Sequence, residues 1–462
     1  MKFAGANSGA PYIRCWENQS LEGDSLYLTD IAAADRQKSL GSFPQNNQTG
    51  ISMIPKEYWA KRTDSTADII FEGVEKGLGK LVVTIHGKNG VLLGEGGEAW
   101  IQLLDVREMY QRARIVNEPE AIPHPWDNPN PPAQAWTWDP WNWPYSEDPD
   151  AKPITAVFVH GWRLKYMDFM NWSDSSYKRL WHQGFKGKFY SFRWATFSGD
   201  NNGLPYGLDE ELEDNSGGNS IIIPPGGLTY NASEYRAWLC GPALASFVNQ
   251  LPNPDQRKLF AHSMGNVISG AALRSGMEIE SYAMCNSAVA AMAYDPTRIY
   301  PDYAGYKTPD TDHDPAIRNG YGLANKFNLA NMPEIFNFSL PADEALKGWL
   351  TNNKLFKADH NKSYRYQENP VPISSYKLSY TSPNTVYRNI TGLSEAMGYV
   401  TQSRSLPAGA DLLTSGSVNN AAVDMTSWGF GKTHSAVWRW SNQKSHIFWE
   451  QLVERLRLKT QN

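Results

Sequence analysis

Residues 258–270 read KLFAHSMGNVISG. An apolar run ends in a serine, and a helix-forming run begins at once, with Ala261 two residues before Ser263 and Gly265 two after it. A chain leaves a buried strand for a helix this abruptly only through a tight turn, which holds the apex residue in a sparsely populated backbone region. Such a turn crowds the positions two before and two after the apex, so both must be small, and Ala261 and Gly265 meet that demand. The same geometry suits a nucleophile. A serine hydroxyl is protonated at neutral pH and attacks poorly unless a base stands beside it. At such an apex Oγ is aimed off the carboxyl edge of the sheet, and the helix starting near Met264 brings its positive end to a developing oxyanion.

The surrounding texture supplies a sheet. ITAVFVHGW (154–162) predicts a buried strand ending in a turn, KGKFYSFRWAT (186–196) a strand, RKLFAHS (257–263) a strand, and IESYAMCNSAVA (279–290) and EIFNFSLPAD (334–343) two more. Between and after them fall helix predictions: SDSSYKRLWHQG (173–184), NASEYRAWLCGPALASFVNQL (231–251) with Asn231 as N-cap, MGNVISGAALRSG (264–276), EALKGWLTNN (344–353) and SHIFWEQLVERLRL (445–458). Strands alternating with helices of this length indicate a mainly parallel α/β sheet with flanking helices. Residues 1–105 differ: short β-branched runs punctuated by glycine predict a small all-β module. VREMYQRARIV (106–116) reads as a short helix leading away from it. Residues 119–153 are dominated by proline and tryptophan and show no helix or strand period. The division expected is therefore a β-rich module over 1–105, a linker over 106–153 and an α/β domain over 154–462.

AHSMGN, set between KLF and VISGAALRSG, resembles the nucleophile elbow of the α/β-hydrolases, with alanine replacing the first glycine of G-x-S-x-G. VFVHGW, about 100 residues upstream, resembles that superfamily's HG oxyanion loop. The likeness covers roughly residues 150–462, and the first 105 residues carry no hydrolase motif. The whole chain resembles lipase- or esterase-like bacterial proteins that append such a domain behind a β-module.

The resemblance implies a chain order of nucleophile, acid, then histidine. Asp343 follows the strand predicted at 334–340 and is the candidate acid, with Asp295, after the strand at 279–290, as its rival. Four histidines follow Ser263. His313 precedes Asp343, and His360 lies too close behind it in a polar stretch. His434, in the Gly-flanked WGFGKTHSAVW before the last helix, is the candidate base. His446, in the first turn of that helix, is the alternative. The backbone N–H groups of Met264 and Trp162 would form the oxyanion hole. His160 and His262 flank the site and read as packing residues.

Composition excludes some classes and leaves others open. The net charge is −5 with 20% charged residues, so no basic surface points to nucleic acid or to a membrane face. No run of about 18 apolar residues predicts a transmembrane segment, and MKFAGANSGAPYIRCW lacks the apolar core of a signal peptide. Three cysteines do not make a disulfide framework. No cofactor motif or Cys/His metal spacing is present. The acidic, Gly-rich stretch 197–229 lacks EF-hand spacing and reads as a solvated loop rather than a calcium site. Residues 291–333, rich in Tyr, Asp and Pro, read as a cap beside the site, and the Trp-rich 126–144 as packing between domains. The function expected is cleavage of a small-molecule, lipid or polymeric carboxylic ester. The rivals are a serine acyltransferase or amidase on the same scaffold, and a non-catalytic adhesion protein that keeps the fold.

Overall fold

The computed structural model describes residues 2–4, 13–18, 39–46, 51–60, 69–73, 76–116, 135–145, 148, 150–162, 164, 166–194, 230–288, 333–340, 343, 422–438 and 445–459. Asp295, His313, His360, the stretch 197–229, the helix expected over 344–353 and all but the last residue of the segment 291–333 lie outside the described residues. The chain divides into two compact units. One comprises residues 1–109, 144–146 and 440–446, and the other residues 110–143, 147–439 and 447–462.

In the first unit, β1 (Lys2–Ala4), β6 (Gly77–His86) and β7 (Leu92–Leu103) form an antiparallel sheet. Two small antiparallel pairs accompany it: β2 (Ile13–Glu17) with β5 (Ile69–Gly73), and β3 (Gln45–Asn46) with β4 (Ile51–Ser52). A short helix, α1 (Lys56–Ala60), follows β4. The β6–β7 hairpin reverses at Gly90, whose φ of 73° is left-handed and free of strain only for glycine. The unit's core gathers Ile13, Cys15, Phe43 and Tyr58, against which Leu81, Ile101 and Leu103 pack.

The second unit is built on one eight-stranded sheet. Its strands are β8 (Gln111–Ile115), β9 (Trp136–Trp138), β10 (Thr155–Val159), β11 (Lys188–Arg193), β12 (Arg257–His262), β13 (Ser281–Cys285), β14 (Glu334–Ser339) and β15 (Ala422–Asp424). They lie in the order β15-β14-β13-β12-β10-β11-β8-β9. All neighbours pair in parallel except β9, which runs antiparallel on the edge. Every residue of β10, β12 and β13 is buried, as expected where helices cover both faces of a parallel sheet. The charged residues in β12 sit at its amino end, where Lys258 Nζ pairs with Glu280 and Arg257 Nε donates to the Leu251 carbonyl at 2.9 Å.

Four helices belong to this sheet: α2 (Tyr166–His182), α3 (Tyr230–Gln250), α4 (Gly265–Arg274) and α5 (Ser445–Arg455). α4 is buried from Gly265 to Leu273 and is made largely of small residues, which lets α3 approach closely. At the crossing, a Cβ on Gly241 would stand 2.5 Å from that of Ala271, so only glycine fits. Aromatic rings fill the space between sheet and helices. Phe158 stacks on Phe260 with centroids 5.2 Å apart, and Trp449 of α5 meets Phe260 edge-on.

Register decides where the turns emerge. Val159 pairs with Ala261, His262 with Cys285, and Cys285 with Phe338. The turns after β10, β12, β13 and β14 therefore leave the sheet along one carboxyl edge.

Several elements differ from expectation. Residues 106–116 are not a helix: Val106–Glu108 form one 3₁₀ turn and Gln111–Ile115 are β8. The span 106–153 is not a plain linker either, because β8 and β9 are strands of the main sheet. Trp136 and Trp138 pack within that unit, edge-on to Phe247 of α3 at 5.0 and 5.7 Å. Finally, the helix expected from Ser173 begins at Tyr166, and Asn231 lies inside α3 rather than capping it. Ser173 is buried and donates to the Phe169 carbonyl at 2.7 Å, so its hydroxyl is satisfied within the helix.

Candidate active site

Ser263 has φ of 52°, a left-handed value uncommon for a residue with a Cβ. Its neighbours over-determine it. The Ser263 N–H donates to the Cys285 carbonyl at 3.0 Å, extending the β12–β13 ladder one residue past the strand. The Ser263 carbonyl accepts from the N–H groups of Asn266 and Ala288 and from Asn266 Nδ2, at 3.1, 3.1 and 2.8 Å. The need for small residues has a specific source. A Cβ on Gly265 would lie 2.5 Å from the His160 carbonyl oxygen and 2.7 Å from that of Val159. What crowds position 265 is thus the backbone at the end of the neighbouring β10.

The turn after β10 is pressed against the same spot. A Cβ on Gly161 would stand 2.8 Å from His262 Nδ1 and 3.0 Å from Ser263 Cβ. Glycine lets this turn lie directly on the serine. Trp162 follows it, half-buried, and Met264 is buried as the N-cap of α4. The 3₁₀-type bonds at this end accept on the Ser263 and Met264 carbonyls, leaving the N–H groups of Met264 and Gly265 with no acceptor inside the helix.

Three side chains from distant parts of the chain meet here. Ser263 Oγ donates to His434 Nε2 at 2.8 Å, and His434 Nδ1 donates to Asp343 Oδ2 at 2.6 Å. A carboxylate accepts and does not donate, so the proton sits on Nδ1 and the Nε2 lone pair faces the serine. Asp343 is fully buried, Ser263 is 7% exposed, and the His434 side chain keeps 20% of its surface open to solvent. Asp343 is carried three residues past Leu340, whose carbonyl takes its N–H at 2.9 Å. His434 lies on a loop bent by Gly429 and Gly431, both left-handed, and closed by the 3₁₀ turn Ala436–Trp438.

The two flanking histidines are held neutral by burial. His160 is pushed down to about 3, chiefly by desolvation. Its Nε2 accepts from the Trp194 N–H at 3.2 Å, which leaves Nδ1 to donate to the Gly161 carbonyl at 2.8 Å. His262 is pushed well below the ordinary histidine value, first by burial and then by the repulsion that two protonated rings, its own and that of His434, would feel so close together. Its Nε2 lies 3.2 Å from the His434 carbonyl and donates to it, while Nδ1 has no hydrogen-bond partner among the described residues. Trp438 closes on this ring at 4.6 Å between centroids and stacks on Trp172 of α2 at 5.0 Å. These rings wall off one side of the loop that carries His434.

His446, the alternative base, is the second residue of α5, and its Nδ1 has no hydrogen-bond partner among the described residues. The imidazole that meets both Ser263 and Asp343 belongs to His434. One residue escaped the sequence reading. Asn286 follows β13 with φ of 44°, and its Nδ2 donates to Asp343 Oδ2 at 2.8 Å. The available signal was an asparagine straight after a buried apolar run, since Asn tolerates left-handed backbone better than most residues. Among the described residues no group of three His, Cys, Asp or Glu side chains is placed to hold a metal ion, and no helix is long and apolar enough to cross a membrane.

No protein-family model and no curated protein matches the sequence. Solved structures with a similar course include a hormone-sensitive lipase from a metagenome library, at 9% identity and TM-score 0.28, covering 70% of this chain and 80% of that one. A lipase in its open form matches at 15% identity and TM-score 0.25, covering 71% and 95%. An extracellular α/β-hydrolase from a Paenibacillus species matches at 12% identity and TM-score 0.24, covering 66% and 99%. At TM-scores this low, none of these likenesses bears on the chemistry of the site.

Proposed function

We propose that this protein is a serine hydrolase that cleaves carboxylic esters through an acyl-enzyme on Ser263. The observation that carries the proposal is the hydrogen-bond chain Ser263–His434–Asp343, with links of 2.8 and 2.6 Å. His434 takes the hydroxyl proton at Nε2 as Oγ attacks the ester carbonyl. Asp343 keeps the tautomer and stabilises the imidazolium that forms. The negative charge on the carbonyl oxygen falls to the backbone N–H groups of Met264 and Trp162 at the head of α4 and the Gly161 turn. His434 then returns the proton to the leaving alkoxide. Water, activated by the same imidazole, attacks the acyl-enzyme, releases the acid and restores Ser263.

A fluorophosphonate probe and a panel of p-nitrophenyl esters of rising chain length test the reading together. The wild-type chain is expected to be labelled on Ser263 and to turn over at least the short esters. Ser263→Ala is expected to lose labelling and to fall by about 10⁴-fold or more in kcat, with an unchanged circular dichroism spectrum. Retained turnover in Ser263→Ala would remove the serine from the chemistry. A wild-type chain that is neither labelled nor active would favour a binding protein on the same scaffold, and transfer to an added alcohol would favour an acyltransferase.

A further inference from the structure

On the reading that Asp343 and His434 serve Ser263, we propose that Asn286 is a positioning residue that sets the orientation of the acid. Asn286 is buried, 1% exposed, and holds a left-handed φ of 44°. A glycine would occupy that backbone without strain. The asparagine also carries a cost that glycine would not, because its Oδ1 is buried with no hydrogen-bond partner among the described residues. The side chain's bond to Asp343, at 2.8 Å, accounts for its presence. The amide nitrogen must face the carboxylate, since an amide oxygen at that distance from a carboxylate oxygen would be repelled.

The bond is aimed at one particular atom. Asp343 Oδ2 accepts both from Asn286 Nδ2 and from His434 Nδ1. Two donors converging on one oxygen restrict rotation of the carboxylate, and the carboxylate in turn sets the imidazole plane from which Nε2 meets Ser263 Oγ. Asn286 is itself anchored on the strand that leads to the acid, because its N–H donates to the Phe338 carbonyl of β14 at 3.0 Å. The turns after β13 and β14 are thus locked together through backbone and side chain at once. The side-chain hydrogen bond of Asn286 goes to Asp343, and through that carboxylate it acts on His434.

Asn286→Gly in the full-length chain tests this, because it keeps the left-handed backbone and deletes only the amide. On p-nitrophenyl butyrate, kcat is expected to fall about tenfold with KM unchanged, a loss typical of a catalytic group set slightly out of place. In combination with Asp343→Asn the two losses are expected to be strongly non-additive, since the amide then has no carboxylate to orient. A merely structural role would move the thermal midpoint and leave no such coupling. Asn286→Asp, which replaces the donor by a second carboxylate, is expected to lose more than Asn286→Gly. It provides the same comparison should the glycine variant fold poorly. Wild-type kcat in either variant, or losses that simply multiply, would overturn the positioning role. A wild-type chain inert to the fluorophosphonate probe would overturn the serine-hydrolase reading together with it. A labelled wild type with an undisturbed Asn286→Gly would overturn the positioning role alone.

Discussion

His434 is bound on two sides by side chains, at Ser263 and Asp343, and on a third through its own carbonyl, which takes the His262 Nε2–H at 3.2 Å. His262 belongs to β12, one residue before Ser263, so a rigid strand holds the loop that carries His434. His446 has a different setting. It is the second residue of α5, and the imidazole bonded to both Ser263 and Asp343 is that of His434. His434→Ala is therefore expected to lower kcat by several orders of magnitude, on the order of 10⁴ or more. His446→Ala is expected to cost less than about tenfold, equivalent to roughly 1.4 kcal/mol. Steady-state kinetics on one p-nitrophenyl ester with both variants decides it. A dead His446→Ala beside an active His434→Ala would reverse the assignment of the base.

Among the elements, β8 and β9 change the bounds of the α/β unit. Arg112 of β8 and Asp139 just past β9 are both buried and paired at 3.2 Å. The Arg112 backbone N–H donates to Asn142 Oδ1 at 2.9 Å, and Tyr166 of α2 donates to Asp139 Oδ2 at 3.0 Å. Removing one member of such a pair strands a buried charge, at a cost of about 3–5 kcal/mol. A fragment starting at residue 145, the natural cut if 106–153 were only a linker, loses both strands and leaves β11 as an unpaired edge. A fragment covering 110–462 is expected to be soluble and to hydrolyse esters, and one covering 145–462 to aggregate or lose activity. Expression of the two fragments with assay of soluble esterase activity checks this. A soluble, active 145–462 would show the two strands to be dispensable.

For the molecule as a whole, buried neutral histidines make stability depend on pH. An unfolded histidine titrates near 6.5, whereas His160 in the fold is pushed down to about 3 by desolvation. Between those values the unfolded chain binds a proton that the folded chain refuses, so stability falls as pH drops and is recovered as pH rises through about 6.5. At pH 5 the His160 contribution alone is a loss of about 2 kcal/mol relative to pH 7.5. His262, shifted in the same direction by burial, adds to it. Urea midpoints at pH 7.5 and pH 5 should differ accordingly, and His160→Gln should flatten the slope whatever its absolute stability. Equal wild-type midpoints at the two values would mean that the folded chain accepts these protons.

What the sequence alone determined is local. The strand-to-helix turn at Ser263 was legible because its demands fall on residues within two positions of each other, and the folded chain places Ser263 at φ of 52° there. The buried parallel strands were legible because continuous apolar runs mark them. The strand β8 was not, because it lies in a run that reads as a helix and its partner β11 stands far along the chain, and β9 was not, because the proline and tryptophan around it mask any period. The site itself belongs to tertiary structure. His434 meets Ser263 across 171 residues and Asp343 across 91, and Asn286 meets Asp343 across 57. The sequence could nominate an acid and a base by order and type. It could not show that Asn286 and His434 share Asp343 Oδ2 or that His262 holds the His434 carbonyl. Those contacts depend on strand order and register, which align the ends of β10, β12, β13 and β14 on one edge.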